Sequence, residues 1–391
     1  MTSAQDALAA ILSRAEPLSI EDCPLKDSLH RHLASPVVAP IPLPPFDNSA
    51  MDGYVIAGEG DSFQVMPTIA AGDRGPSVIH PEEAFRIMTG APVPEGAYAV
   101  VPFEEWPIMK PVTRGDNIRR AGEDVAKGDR LFGAGERITS RTIALMAALG
   151  LETVRVFRRP SVRVLSTGSE LVDVGARRAV PLRPGQIYNS NGPALAAALK
   201  EMGIEAETVG AAVDDEDTLK KALNRGNGAD VLITIGGVSA GDFDLVPKAL
   251  EALGAQVVFH KVSIKPGKPL LYALWGRTHV FALPGNPVSA LLVFDRFVRP
   301  ALLKMMGAEK ISRTPHEAVA AEPLKGASGK EVYLRGIVTS ENGRFIARSA
   351  GAQGSAMLRS LARANAVLIV PASKQRIAAG ESLSFEFLED N

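Results

Sequence analysis

Residues 229 to 237 read ADVLITIGG, and this run restricts the fold more than any other stretch of the chain. From Val231 to Ile235 there is no charged side chain and no polar face. Such a strand is stable when covered on both sides, as in a parallel sheet with helices above and below. Its neighbours repeat the theme. SVRVLSTGSEL is a strand running into a polar glycine loop, NSNGPALAAALKEMG a capped helix and EAETVGAAV a strand. DDEDTLKKALNRG is a helix whose acidic first turn suits the helix dipole. FDLVPKALEALG then reads as a helix and AQVVFHKVSI as a strand. PLLYALWGRTHVFAL reads as two strands joined at Gly276, and NPVSALLVFDRFVRPALLKMMG as a closing helix. Strands alternating with helices over 161–306 predict an open α/β domain with helices on both faces.

The flanking segments have other rhythms. Ala and Leu at helical spacing make residues 1–33 look helical. Five prolines between residues 36 and 45 forbid a helix and favour an extended arm crossing between domains. Residues 46–136 carry short β-like pieces cut by Gly and Pro, and read as a β-rich insert domain. The chain returns over 137–160 through a helix, capped by Thr139 or Ser140 and stopped at Gly150, and the strand LETVRVFRRP. Residues 1–45 and 137–160 together make an N-terminal helical and extended domain. Residues 307–391 are strand-like and form a small all-β C-terminal domain. The expected class is multidomain α/β plus β.

Charge and cysteine content narrow the function. Lys and Arg total 43 against 44 Asp and Glu, a formal net charge of -1, which gives no general drive toward nucleic acid or anionic membrane. The single cysteine, Cys23, excludes a disulfide framework and a thiolate metal cage and fits a reducing compartment. The first residues do not read as a secretory signal, and the most apolar candidate span, 278–298, is broken by Pro284 and Pro287. A soluble cytoplasmic protein is expected.

In open α/β sheets, ligands bind beyond the carboxyl ends of the strands. Four loops stand at such ends: STGSEL (166–171), GGVSAGDFD (236–244), KVSIKPGKP (261–269) and LPGNPVS (283–289). GGVSAGDFD spaces its glycines like a phosphate loop, but Asp242 stands where such a motif needs Lys, so a Walker-type ATPase is disfavoured. Asp242 alone reads as a helix cap. Lys261, Lys265 and Lys268 follow, and if 257–265 is one strand, Lys261 and Lys265 share a face. Lysines and carboxylates around glycine loops suit an anionic ligand with a divalent metal such as Mg2+ between them. Asn286, between Pro284 and Pro287, is placed to cap the next helix, whose N–H groups would face an anion. DNSAMDG in the insert is unusual in clustering Asp47, Asn48, Ser49 and Asp52 beside Gly53, since a turn does not need both aspartates; MTGAPVPEG and RRAGEDVAKGD are similar polar loops, and each alone is a weak signal. The six histidines show no metal-ligand spacing, and no GxSxG occurs.

Taken together, PPFDNSAMDGYV, MTGAPVP, AGEDV, STGSEL, GGVSAGDFD, IKPGKPL and LPGNPVSA resemble the molybdopterin molybdenumtransferase family, MoeA in bacteria and the E domain of gephyrin in animals. The resemblance runs along essentially the whole chain, in the family's motif order. It implies an enzyme that inserts molybdate into adenylated molybdopterin with Mg2+ and releases AMP. It also implies an elongated homodimer whose active cleft lies between the α/β domain of one subunit and the β-rich domain of the other. A molybdopterin adenylyltransferase and downstream cofactor-handling proteins would be its partners.

Carried over by motif, the resemblance implies catalytic positions at Asp52, Thr89, Asp124, Glu170, Asp214 or Asp215, Asp244, Lys261 and Lys265. Substrate contacts are implied at Pro284, Pro287, Arg335 and Ser355, and the amides and hydroxyls of the loops themselves add Thr167, Gly168, Gly236, Gly237, Ser239, Gly241, Gly285 and Asn286 as candidates. Asp244, Glu170 and Asp52 are the implied metal ligands. The residues leave open a stand-alone adenylyltransferase, a binding scaffold, a magnesium-dependent nucleotide phosphohydrolase, and tungstate in place of molybdate.

Overall fold

The central sheet takes six strands in the order Ala206–Ala212, Val162–Thr167, Val231–Ile235, Thr278–Leu283, Leu271–Trp275 and Gln256–His260. The computed structural model of the chain describes residues 1–174, 182–212, 216–238 and 245–389. The first four strands are parallel, and Leu271–Trp275 runs against both its neighbours because it is joined to Thr278–Leu283 by a tight hairpin. Gly276 supplies the positive φ of 59° that this turn requires.

Side-chain alternation divides the core into two layers. Val162, Val164, Val231, Ile233, Phe281 and Leu283 join Leu195 and Leu199 of the helix Asn191–Glu201. Leu165, Leu232, Val280 and Ala282 join Leu219 and Leu223 of Glu216–Gly226 and Leu250 of Leu245–Ala252. Val231–Ile235 feeds both layers and is wholly buried, which is why its sequence has no polar face.

Two local expectations are corrected. Residues 1–33 are not a helical run: the helix is Ala4–Leu12, capped by Ser3, and Pro17 and Pro24 rule out its continuation. Ile20–Pro24 is instead a strand, antiparallel to Thr153–Phe157, which buries Cys23. The helix packs Ala7 and Ile11 into the α/β core. Nor is AQVVFHKVSI one strand. It ends at His260, Lys261 takes a φ of 75°, and Ile264–Lys265 joins a different sheet beside Glu331–Glu341. Lys261 and Lys265 therefore share no strand face.

Elsewhere the rhythms hold. Thr139 caps Ser140–Ala148 in a reciprocal pair with Thr142, and Gly150 follows with a φ of 75°. The closing helix is continuous from Pro287–Val293 to Arg299–Met305 through a π-helical turn at Phe294–Val298. The β-rich insert centres on Gly53–Ile56, Gln64–Ile69, Glu83–Ile87 and Ala99–Pro102. The C-terminal sheet includes His316–Ala320, Glu331–Glu341, Arg344–Ser349, Ala366–Val370 and Ser382–Phe387, and a short helix, Leu358–Arg363, was not anticipated. No helix among the described residues is long and apolar enough to cross a membrane.

Candidate active site

At the carboxyl edge of the sheet, the loops close on one another. The Gly236 N–H donates to the Leu283 carbonyl at 2.9 Å, and His260 Nε2 lies 3.2 Å from the Val238 carbonyl. Gly236 has a φ of 96°, and a Cβ there would stand 2.6 Å from the Thr167 carbonyl oxygen and 2.8 Å from its Oγ1. One on Gly237 would stand 2.9 Å from Val246. These turns admit only glycine. Asn191 Nδ2 also holds the proline loop by donating to the Gly285 carbonyl at 2.7 Å.

Thr167 itself is buried, its hydroxyl donating to the Ile235 carbonyl at 3.1 Å, so it shapes the turn from inside. Glu170 is exposed and its carboxylate lies over Gly168, where an added Cβ would meet its oxygens at 2.5 and 2.6 Å. Asp214, Asp215, Ser239, Gly241, Asp242 and Asp244 lie outside the described residues.

The proline loop differs from expectation. Asn286 occupies the cap position of Pro287–Val293 but makes no side-chain capping bond. Pro287 has no N–H to offer, and the Val288 N–H donates to the Ser355 carbonyl at 3.1 Å. The helix end is thus partly spent on the C-terminal region and is no open anion cradle.

What that contact builds is a cleft of about 670 Å3 between the α/β region and the C-terminal sheet. It brings together Lys265, Asn286, Arg335 and Ser355, which span ninety positions of sequence, and it adds Lys268, Lys325 and Lys330. No Asp or Glu is among its lining residues. Lys265 reaches it because Ile264–Lys265 pairs in parallel with Glu331–Val332 of the C-terminal sheet. Lys261 is not among the lining residues. Its carbonyl accepts from the Thr2 N–H at 3.3 Å.

Arg335 is fully buried, yet it faces no carboxylate. Nη2 donates to the carbonyls of Ala352 and Gly354 at 2.9 and 3.0 Å, Nη1 to that of Gln353 at 3.2 Å, and Nε to Ser360 Oγ at 3.2 Å. Burial pulls its pKa below the ordinary value. Four of its five side-chain N–H groups are taken up by the loop that carries Ser355 and by Ser360 of the helix that follows, so Arg335 is a positioning residue. The guanidinium fork matches a ring of carbonyls that a lysine could not satisfy. The residue types in YLRG and AQGS gave no such signal. Of the cleft's further lysines, Lys268 was visible in IKPGKP, whereas Lys325 and Lys330 sit in segments without a motif.

The three polar loops of the insert also converge. Asn48–Ser49 pairs with Ile118–Arg119, the Gly90 N–H donates to the Ser49 carbonyl at 2.8 Å, and the Asp124 N–H to the Leu43 carbonyl at 3.1 Å. Asp52 Oδ1 accepts both the Thr89 N–H and the Thr89 hydroxyl, which hold its carboxyl below the ordinary range. Burial pushes the nearby Asp47 up, but the Ala121 N–H and the Arg120 guanidinium outweigh it and leave it lowered. Asp52, Thr89 and Asp124 are all exposed.

Among the described residues, no three His, Cys, Asp or Glu side chains come together to hold a metal. Of the implied ligands, Asp52 lies in the insert and Glu170 in the loop after Val162–Thr167, while Asp244 lies outside the described residues.

Family comparison covers nearly the whole chain. Residues 2–150 match the MoeA N-terminal region (domain I and II), 163–304 a probable molybdopterin binding domain, and 317–388 the MoeA C-terminal region (domain IV). The chain is 39% identical to molybdopterin molybdenumtransferase 2 of Mycobacterium tuberculosis, with 97% of each chain covered. It is 36% identical to the molybdopterin molybdenumtransferase of Haemophilus influenzae, covering 95% of this chain and 94% of that one. Among solved structures, the molybdopterin biosynthesis MoeA protein of Pyrococcus horikoshii superposes with a TM-score of 0.79 at 31% identity, covering both chains fully. The chain belongs to the MoeA family.

Proposed function

We propose that this chain is a molybdopterin molybdenumtransferase of molybdenum cofactor biosynthesis. It takes molybdate and adenylated molybdopterin, inserts the metal and releases AMP. The observation that carries this reading is the cleft in which Lys265, Asn286 and Ser355 meet with no carboxylate in the walls. Molybdate is a doubly charged oxyanion whose oxygens accept from ammonium, amide and hydroxyl donors. The names of the relatives support the same substrate class.

In this reading Lys265 and Ser355 hold the oxyanion, and Arg335 fixes the loop that presents Ser355. The turns at Gly168, Gly236, Gly237 and Gly285 let phosphate oxygens approach the backbone, as Ser239 and Gly241 would further along the same loop. Glu170, Lys261, Asp214 and Asp244 belong to the same side of the reaction. Asp52, Thr89 and Asp124 act from the insert. We assign the molecule to an elongated homodimer in which the insert of one copy faces the α/β edge of the other. The bonds holding Asp52 and Thr89 close within the insert, which leaves their exposed face available to such a neighbour.

We assign the chain four domains: 1–45 with 137–160, 46–136, 161–306 and 307–391. The enzyme requires magnesium for the nucleotide anhydride, works in the cytoplasm and receives its substrate from an adenylyltransferase. Purified protein is mixed with adenylated molybdopterin, Mg2+ and graded molybdate, and AMP and active cofactor are quantified. AMP release in step with molybdate and with cofactor formed is expected. Release indifferent to molybdate would overturn the reading in favour of a phosphohydrolase.

A further inference from the structure

The cleft has more cationic side chains than one inner oxyanion position uses. Lys325 and Lys330 stand in its C-terminal wall, on and just after the short strand Leu324–Lys325. Among the described residues neither ammonium group has a hydrogen bond or an ion pair with a carboxylate. Lys325 is exposed and Lys330 half-buried.

A second observation is independent of the cavity. Leu324–Lys325 pairs antiparallel with Arg376–Ile377, in a register that sets Lys325 directly opposite Arg376. Directly opposed side chains of an antiparallel pair share a face and lie close, so like charges there destabilise the pairing. Arg376 is exposed and has no ion pair among the described residues. The two-stranded ladder therefore sets two positive side chains opposite each other, one of them, Lys325, lining the cleft. A neutral or acidic residue at either position would make the ladder more stable.

We propose that Lys325 and Lys330, with Arg376 beside them, form an outer capture site for free tetrahedral oxyanion dianions, the chemical class of molybdate. This site collects the anion from solution and passes it to the inner wall at Lys265, Asn286 and Ser355. Lysine suits capture: it is a flexible, strongly hydrated point charge that holds an anion without fixing its orientation. Same-sign charges around a cleft also raise the local concentration and the arrival rate of a counter-charged ligand, in a way that salt suppresses. The proposal rests on the oxyanion reading of the cleft given above.

The test uses the full-length protein, with molybdate alone as the probe in equilibrium dialysis and with the complete reaction in steady-state kinetics. The double variant Lys325→Ala/Lys330→Ala is compared with Lys325→Arg/Lys330→Arg and with wild type, at low and at raised salt. The alanine variant is expected to raise the KM for molybdate on the order of tenfold at low salt. Its kcat and its KM for adenylated molybdopterin should stay unchanged, its salt dependence should flatten, and the arginine variant should recover most of the loss. Wild-type binding of molybdate with no change in the alanine variant would overturn the capture site and leave the inner cleft standing. A raised KM for the pterin substrate alone would overturn it in favour of a phosphate-tail contact. Failure of the wild type to bind molybdate would overturn both readings.

Discussion

Asp52 and Thr89 meet through a single oxygen: Oδ1 accepts the Thr89 N–H at 2.7 Å and the Thr89 hydroxyl at 2.8 Å. The second carboxylate oxygen takes no part in that pair. Both bonds favour the charged form, so the Asp52 carboxyl is held below its ordinary value, with the backbone bond the larger cause. Thr89→Val removes the hydroxyl and keeps the N–H. It should move the Asp52 titration upward, toward the ordinary value without reaching it, while Thr89→Ser should leave it in place. Carboxyl NMR titration reads this directly. An unmoved Asp52 in Thr89→Val would remove the hydroxyl from the account.

Asp230 clamps the junction between the strand Thr153–Phe157 and the α/β sheet. It takes a two-pronged bond from Arg158 at 2.8 and 2.9 Å and two from Ser161, each at 2.7 Å. Burial opposes its charge, but Arg158 and Ser161 outweigh burial and bring its pKa from 3.8 to about 2. A lowered carboxylate pKa contributes stability above the unfolded value, and that contribution is lost as pH falls through the folded value. Asp230→Asn should therefore cost about 1–2 kcal/mol at neutral pH, allowing for the part-exposed guanidinium. The gap from wild type should narrow from near pH 4 down to pH 2, measured by urea unfolding. A gap independent of pH would mean the charge is not what matters.

Replacing Arg335 by Lys keeps the charge and loses the fork. At least two of the carbonyls of Ala352, Gln353 and Gly354 would then lose their donor. The expected loss is about 3 kcal/mol of stability. Molybdate affinity should weaken roughly tenfold through displacement of Ser355. Ser360→Ala removes one partner only and should be milder. Calorimetric titration of both variants separates the two effects, because an Arg335 that bound the anion itself would leave Ser360→Ala at wild-type affinity.

Two glycines with similar φ give a clean contrast. Gly236, with a φ of 96°, would place a Cβ 2.6 Å from the Thr167 carbonyl, whereas Gly254, with a φ of 83°, has nothing within 4 Å of one. Gly254→Ala should cost only the left-handed strain, about 1–2 kcal/mol. Gly236→Ala adds a collision with backbone that cannot move aside, and thermal unfolding should fall much further. Thr167→Ala should not rescue it, because the colliding carbonyl remains. Equal losses at the two sites would mean the loop yields.

The sequence showed most of the sheet because burial on two faces leaves a plain signature, as in Val231–Ile235, and because Gly276 and Gly150 mark turns that little else allows. The residues around Gly236 were legible as a loop for the same reason. It was misleading where a choice depended on a distant partner. Ile20–Pro24 became a strand because Thr153–Phe157 lay ready to pair with it, and Lys265 left the lysine-bearing strand for a ladder more than sixty residues on. Arg335 was named only through the family resemblance, for a related cause: its role comes from three loop carbonyls and the Ser360 hydroxyl of a short helix, none of which is unusual in type. The inner lysines and the proline loop were found by motif, and their assembly with Ser355 belongs to tertiary structure.

The pairing of Ile264–Lys265 with Glu331–Val332 gives one lysine a divided allegiance. By chain order Lys265 belongs to the α/β region, and by hydrogen bonding it belongs to the C-terminal sheet. A hinge motion of that sheet would carry the lysine along, so the two walls of the cleft cannot open without also re-aiming its charge. A chimera that exchanged residues 317–388 for those of a relative would, in the same stroke, reset a side chain it never replaced.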